Sequence, residues 1–302
     1  MKKGTKIAMI IAVFMIVMGT ALCVIAFGAN GFRFTNFGAY NYQLETYSPE
    51  GDITSVEISD TEYDIEVLPS EDGKCTVTCY DSEKIFHSVK VENGALSIKR
   101  TDVRVWYERI GIFMFWDIDM NVRVYLPEDE YESIKAKSLS GNISVEGELG
   151  FGSADLQSTS GNISFTSSAD ELKLKSTSGE VNADGFAAKK LSVQTTSGKI
   201  GLSDISVESI EVASTSGEIY CSAVTASGKS SYESVSGNVK LDGCDGGEMI
   251  LKTVSGNIWG TLLSEKDFTV STVSGNINIP DSVDDAGSCS IKTISGNVKI
   301  EY

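Results

Sequence analysis

The sequence predicts an all-β chain: a right-handed single-stranded β-helix, or β-solenoid, of about 19-residue coils, preceded by one transmembrane helix. Three observations predict it. Ser-Gly recurs nine times at near-constant spacing, apolar residues alternate around every copy, and one long uncharged apolar run stands near the N-terminus.

The apolar run comes first in the chain. Residues 7–27, IAMIIAVFMIVMGTALCVIAF, carry no charge. As a helix at about 1.5 Å per residue they reach roughly 32 Å, against a hydrocarbon core of about 30 Å. Lys2, Lys3 and Lys6 precede the run, and no basic residue follows until Arg33. The positive-inside rule makes residues 1–6 a cytoplasmic tail and 7–27 a single-pass helix in the cell membrane, with the C-terminal domain extracellular. The run exceeds the roughly 7–15 apolar residues of a cleaved signal peptide, and AFGAN is a poor cleavage site.

Residues 28–50 read as an aromatic-rich linker. Residues 51–135 alternate like strands (SVEIS, DIEVL, KCTVTCY, SVKVE, ALSIKR, NVRVYLP) but lack Ser-Gly, and are expected to be degenerate coils that cap the stack. Within them, RVWYERIGIFMFWDIDMNVRVYLP (104–127) gathers Trp106, Tyr107, Phe113, Phe115 and Trp116. This cluster has two readings: the core of the cap, or a patch for a partner, a glycan or the bilayer surface.

Residues 136–302 form the repeat. Gly141, Gly161, Gly179, Gly198, Gly217, Gly237, Gly256, Gly275 and Gly296 each follow a serine, at spacings of 20, 18, 19, 19, 20, 19, 19 and 21. Two residues after each glycine stands Ile or Val. Positions four after, five before and seven before are mostly apolar, with polar residues between them. That is period-two alternation, the mark of strands with one buried face. Inward positions fall seven, five, three and one before the glycine, then two and four after it. The parity slips at Ser-Gly, so the chain turns there. The glycine is expected in a backbone conformation other residues disfavour, with the serine column facing inward. Asn follows the glycine in six of nine copies, which suits a turn. The alternative is a repeated ligand site, an Asn ladder holding cations. No cap is visible after Tyr302, so an exposed strand edge open to self-association is expected there.

The chain's 302 residues hold 42 Asp and Glu against 25 Lys and Arg, a net charge of −17. This speaks against nucleic acid as a partner. The six cysteines suggest no disulfide framework. Cys75 and Cys79, four apart in a strand, would place their Cα atoms about 13 Å apart, too far to bridge. The single histidine, His87, reads as an ordinary strand-end residue, since hydrolytic triads and His-rich metal sites need more partners. AVTASGKS (223–230) resembles a phosphate loop, but it sits in a repeat rather than between a strand and a helix. No enzyme, cofactor or metal site is expected.

The junction VYLPEDEYESIKAKSLSGNI (124–143) and the Ser-Gly-Asn-Ile repeat resemble the bacterial putative-adhesin β-strand repeat family, also called toastrack domains, which includes LiaG-like membrane proteins. The resemblance covers about residues 50–302. It implies a β-helix outside a bacterial membrane, linked to envelope-stress systems beside two-component regulators and phage-shock-type membrane proteins, with no catalytic residues carried over. The expectation is therefore a non-enzymatic binding or scaffold module in envelope-stress sensing, with envelope-stress membrane proteins or cell-wall polymer as partners. The alternative is a cell-surface adhesin or cell-wall glycan-binding protein.

Overall fold

The computed structural model describes residues 3–29, 41–105 and 120–302. Helix α1 spans Lys3–Ala29, where the apolar run predicts a helix. Among the described residues, however, no helix is long and apolar enough to cross a membrane. The expected single-pass placement, with a cytoplasmic N-terminus and an extracellular C-terminal domain, is corrected on this ground. The chain divides into two compact units. The smaller includes α1 and Ser82–Ile85; the larger comprises Gln43–Asp81, Phe86–Thr101 and Met120–Tyr302.

The first strands are β1 (Gln43–Tyr47), β2 (Ser55–Ser59), β3 (Asp64–Pro69), β4 (Thr76–Asp81), β5 (Ile85–Glu92), β6 (Ala95–Asp102) and β7 (Asn121–Leu126). The repeat opens with β8 (Glu130–Ser138) and β9 (Ile143–Val145), then β10 (Gly150–Ser158), β11 (Ile163–Phe165), β12 (Ser168–Ser176), β13 (Val181–Asp184) and β14 (Ala187–Thr195). It continues through β15 (Ile200–Ser214), β16 (Ile219–Ser234), β17 (Val239–Lys252) and β18 (Ile258–Leu262). It ends with β19 (Lys266–Ser271), β20 (Ile277–Asn278), β21 (Gly287–Lys292) and β22 (Val298–Glu301).

Successive coils pair in parallel with like residues in register. Ile163 lies between Ile143 and Val181, and Leu174 lies between Leu156 and Val193. Inward side chains therefore stack into continuous apolar columns, and Ile163, Val181, Ile219 and Val239 are fully buried. One coil cannot bury its inner face alone; its neighbours above and below complete the core and the hydrogen-bond ladder.

At both ends, chain order and stack order part. β2 lies between β6 and β8, and β3 lies between β7 and β9. The first coil is thus enclosed by a later one. Beyond β7 the sheet turns antiparallel, with β4 on β7 and β1 on β4, so Gln43–Tyr47 is a strand within the stretch read as a linker. At the other end, β21 lies between β17 and β19, and β22 between β18 and β20.

The sequence's last coil is therefore not the last in the stack, which corrects the expected exposed edge after Tyr302. The outer coil is 266–279. Its edge is blunted by the following loop: the amide of Val283 donates to the carbonyl of Lys266 at 3.0 Å, and the amide of Phe268 donates to Ser282 Oγ at 2.7 Å. Such covering is how sheet edges avoid strand addition. Lys266 is itself buried, its ammonium held by Asp245, the carbonyl of Gly246 (2.8 Å) and Ser264 Oγ (2.9 Å).

The coil has two corners with different demands. At the first, a Cβ built on any of the nine motif glycines would come closer than 3.0 Å to the backbone oxygen stacked beneath it, Tyr63 for Gly141 and a neighbouring motif glycine for the rest. Eight of the nine have no positive φ. Their requirement is close backbone approach rather than the unusual conformation expected from the sequence. The second corner, six residues on, is the left-handed one: Gly147, Gly185, Asp204, Ala223 and Gly243 have φ of 86°, 75°, 52°, 52° and 60°.

The serine before each motif glycine is exposed, which corrects its expected inward placement. The inward hydroxyl is the Ser or Thr three before the glycine. Ser214 Oγ accepts the amide of Gly217 at 2.8 Å. Ser158 Oγ accepts the amide of Gly161 at 2.9 Å and donates to the carbonyl of Gly141 at 3.2 Å. One buried hydroxyl thus serves two backbone groups that the corner leaves unpaired.

Candidate binding face

The five aromatic residues singled out from the sequence, Trp106, Tyr107, Phe113, Phe115 and Trp116, lie outside the described residues. The nine motif glycines line one corner and are structural, as above. The alternative of an Asn ladder holding cations is answered by geometry. Asn142 Oδ1 accepts the amide of Asn162 at 2.8 Å, Asn162 Oδ1 the amide of Glu180 at 2.8 Å, and Asn238 Oδ1 the amide of Asn257 at 2.9 Å. These oxygens are spent on tying coil to coil.

The face built from the short strands that follow the Ser-Gly corner carries the more telling surface. Inward residues two and four after the glycine leave the residue between them pointing out. In stack order these outward residues are Ser144, Ser164, Asn182, Gly201, Tyr220, Lys240, Trp259, Lys299 and Asn278. They form one column at about 4.8 Å per step.

Its middle is a groove of about 430 Å³ lined by Ser164, Asn182, Gly201 and Tyr220, with Glu180, Lys199 and Glu218 on one bank and Thr166, Asp184 and Ser203 on the other. Gly201 supplies no side chain, and the column dips there. Beyond Tyr220 the surface rises. Lys240 Nζ lies 4.9 Å from the centre of the Tyr220 ring, a cation–π contact. The next residue, Trp259, is 36% exposed. It shares a second depression of about 280 Å³ with Lys240, Asp242, Thr261, Lys299 and Glu301. Thr261 Oγ1 donates to Asp242 Oδ1 at 3.0 Å.

The strip therefore runs over seven rungs from Ser164 to Lys299, about 29 Å. With its banks it sets hydroxyls, an amide and carboxylates beside two aromatic platforms and three ammonium groups. Its parts are polar, open and shallow, suited to an extended hydroxylated chain rather than an enclosed small molecule. Trp259 was not singled out from the sequence, although its parity marks it: it stands between the inward positions 258 and 260.

A family model described as Toastrack DUF4097 matches residues 53–249. Among solved structures, a putative adhesin from Bacteroides fragilis NCTC 9343 is similar at 16% identity and a TM-score of 0.49, over 87% of this chain and 98% of that one. A putative adhesin from Parabacteroides distasonis ATCC 8503 is similar at 14% identity and a TM-score of 0.47, over 87% and 98%. A putative lipid binding protein from the same organism is similar at 14% identity and a TM-score of 0.48, over 86% and 96%. No curated protein matches the chain.

Proposed function

The chain belongs to the Toastrack DUF4097 family, and from that premise we propose that it is a non-enzymatic binding module whose outward column grips a linear glycan. The observation that carries this reading is the run Tyr220, Lys240, Trp259 on three consecutive rungs. Aromatic faces stack on the apolar faces of sugar rings, and flanking carboxylates, hydroxyls and ammonium groups satisfy the ring hydroxyls. A strip with one rung every 4.8 Å or so offers repeated contacts to a repeating polymer. The test is binding of the purified chain to soluble linear polysaccharides, neutral and acidic, with Trp259→Ala in parallel. Loss of about tenfold in affinity, or about 1.4 kcal/mol, with an unchanged unfolding midpoint supports it. Binding indifferent to Trp259 overturns it.

A second reading, a scaffold for a protein partner in envelope-stress sensing, is favoured by a different surface. Val235, Val254, Ile294 and Val273 occupy consecutive rungs beside the Ser-Gly corner and are 48%, 40%, 48% and 81% exposed. An aliphatic ridge of this kind is suited to a protein surface. Val254→Asp should abolish capture of such a partner and leave glycan binding intact.

A further inference from the structure

His87 is not an ordinary strand-end residue. It lies on β5, only 4% exposed, between two carboxylates. Its Nε2 is 2.9 Å from Asp60 Oδ2, and its Nδ1 is 2.6 Å from Asp81 Oδ1. Both carboxylates are fixed in turn. Asp60 Oδ1 accepts the amides of Glu62 (2.7 Å) and Tyr63 (2.8 Å), and Asp81 Oδ2 accepts the Tyr47 hydroxyl at 2.9 Å. On β4, alternate residues face inward, so Cys79 and Asp81 share the buried side. The Cys79 thiol, an Asp81 carboxylate oxygen and a His87 ring nitrogen all lie within 4.8 Å of one another.

We propose that Cys79, Asp81 and His87 bind a divalent transition-metal ion of the zinc class, with Asp60 orienting the imidazole from behind. The donor set is the first argument. A thiolate, an imidazole and a carboxylate together select zinc or cobalt over magnesium and calcium, which prefer oxygen alone. The second is the placement of Asp60. A ligating histidine characteristically donates its other ring N–H to a carboxylate, which fixes tautomer and ring orientation. Here Asp60 occupies that position on Nε2, leaving Nδ1 facing Asp81 and the Cys79 side. The third is economy of structure. A buried acid–imidazole–acid network is a poor stabiliser, because apolar residues of the same volume do as well without the desolvation cost.

Three protein ligands leave a fourth position for water. Loading also balances. The dication displaces one proton from Nδ1 of His87 and one from the Cys79 thiol, so the net charge of the cluster is unchanged. Nε2 keeps its proton and donates it in the hydrogen bond to Asp60. Asp81 must retreat slightly, since two ligands of one tetrahedral zinc sit about 3.3–3.5 Å apart.

The test uses the full chain and cobalt(II) chloride. The expected result is one cobalt per chain with near-ultraviolet thiolate-to-cobalt absorption, bleached by equimolar zinc. Cys79→Ser, with its β-sheet circular dichroism retained, should lose that band, and Asp60→Asn should bind about 10–100-fold more weakly. X-ray absorption of the zinc-loaded unmutated chain needs no variant. It should show one sulfur at about 2.3 Å and nitrogen or oxygen at about 2.0–2.2 Å. A thiolate band that persists in Cys79→Ser overturns the proposal, as does a zinc shell without sulfur or the absence of any cobalt band.

Discussion

The amide of Asn297 donates to the side-chain oxygen of Asn257, 40 residues earlier, at 2.8 Å, while Asn276 stands beyond Asn297, its own amide held at 2.9 Å by Asn297 Oδ1. The last coil is inserted between two coils that precede it. Removing Gly287–Tyr302 should therefore open a gap inside the stack rather than shorten it. Hydrogen exchange of the truncated chain is expected to show the β19 amides, Lys266–Ser271, unprotected although none of them is deleted. Retained protection there would mean that stack order follows chain order.

Two exchanges of the same residue types, six positions apart, should have opposite signs. Gly217→Ala drives a Cβ into the carbonyl of Gly198, an overpacking cost of about 2–3 kcal/mol. Ala223→Gly relieves a left-handed alanine with φ of 52°. The relief of about 1–2 kcal/mol exceeds the chain-entropy cost of glycine, about 0.5–1 kcal/mol. Urea midpoints should fall in the first variant and rise slightly in the second.

Ser214→Ala leaves the buried amide of Gly217 without the acceptor it now has at 2.8 Å. The expected loss is about 1–3 kcal/mol. Ser216→Ala, at the exposed serine of the same motif, should change the urea midpoint hardly at all.

Burial alone would push the Asp245 carboxyl up, but the Lys266 ammonium, Ser264 and the amide of Gly246 outweigh it and hold the group below its ordinary value of 3.8. A depressed folded value means stability fully present above the unfolded pKa and lost as pH falls towards the folded one. The wild-type advantage over Asp245→Asn should thus be constant from neutral pH to about 5 and shrink below about 4. At neutral pH that advantage is about 1.5–2 kcal/mol, since Asn removes the countercharge and leaves the ammonium its two neutral partners, the Gly246 carbonyl and Ser264 Oγ. Denaturant titrations of both chains across pH 3–7 measure it.

The strands, their inward columns and the coil period were legible because each rests on local alternation. Ile163, Val181 and Ile219 are buried where parity places them. The serine before the glycine was misplaced because both corners break parity, and a one-residue slip cannot tell which of two nearby hydroxyls turns in. Ser158 does so, while Ser160 is exposed. The interleaved ends were illegible. Ser-Gly-Asn stands at 255–257, 274–276 and 295–297 alike, so nothing in the motif says which coil meets which. Trp259 was readable from parity alone. The surroundings of His87 were not, because Asp60 is 27 residues away in the chain.

Interleaving at both ends also limits how such a chain can change length over evolutionary time. Tandem duplication of a coil between residues 150 and 252 inserts a rung whose neighbours in sequence are its neighbours in space. The same duplication in 53–126 or 258–302 would add a coil where two segments already cross over each other. The topology lets the middle take an added coil and holds each end as one interlocked piece.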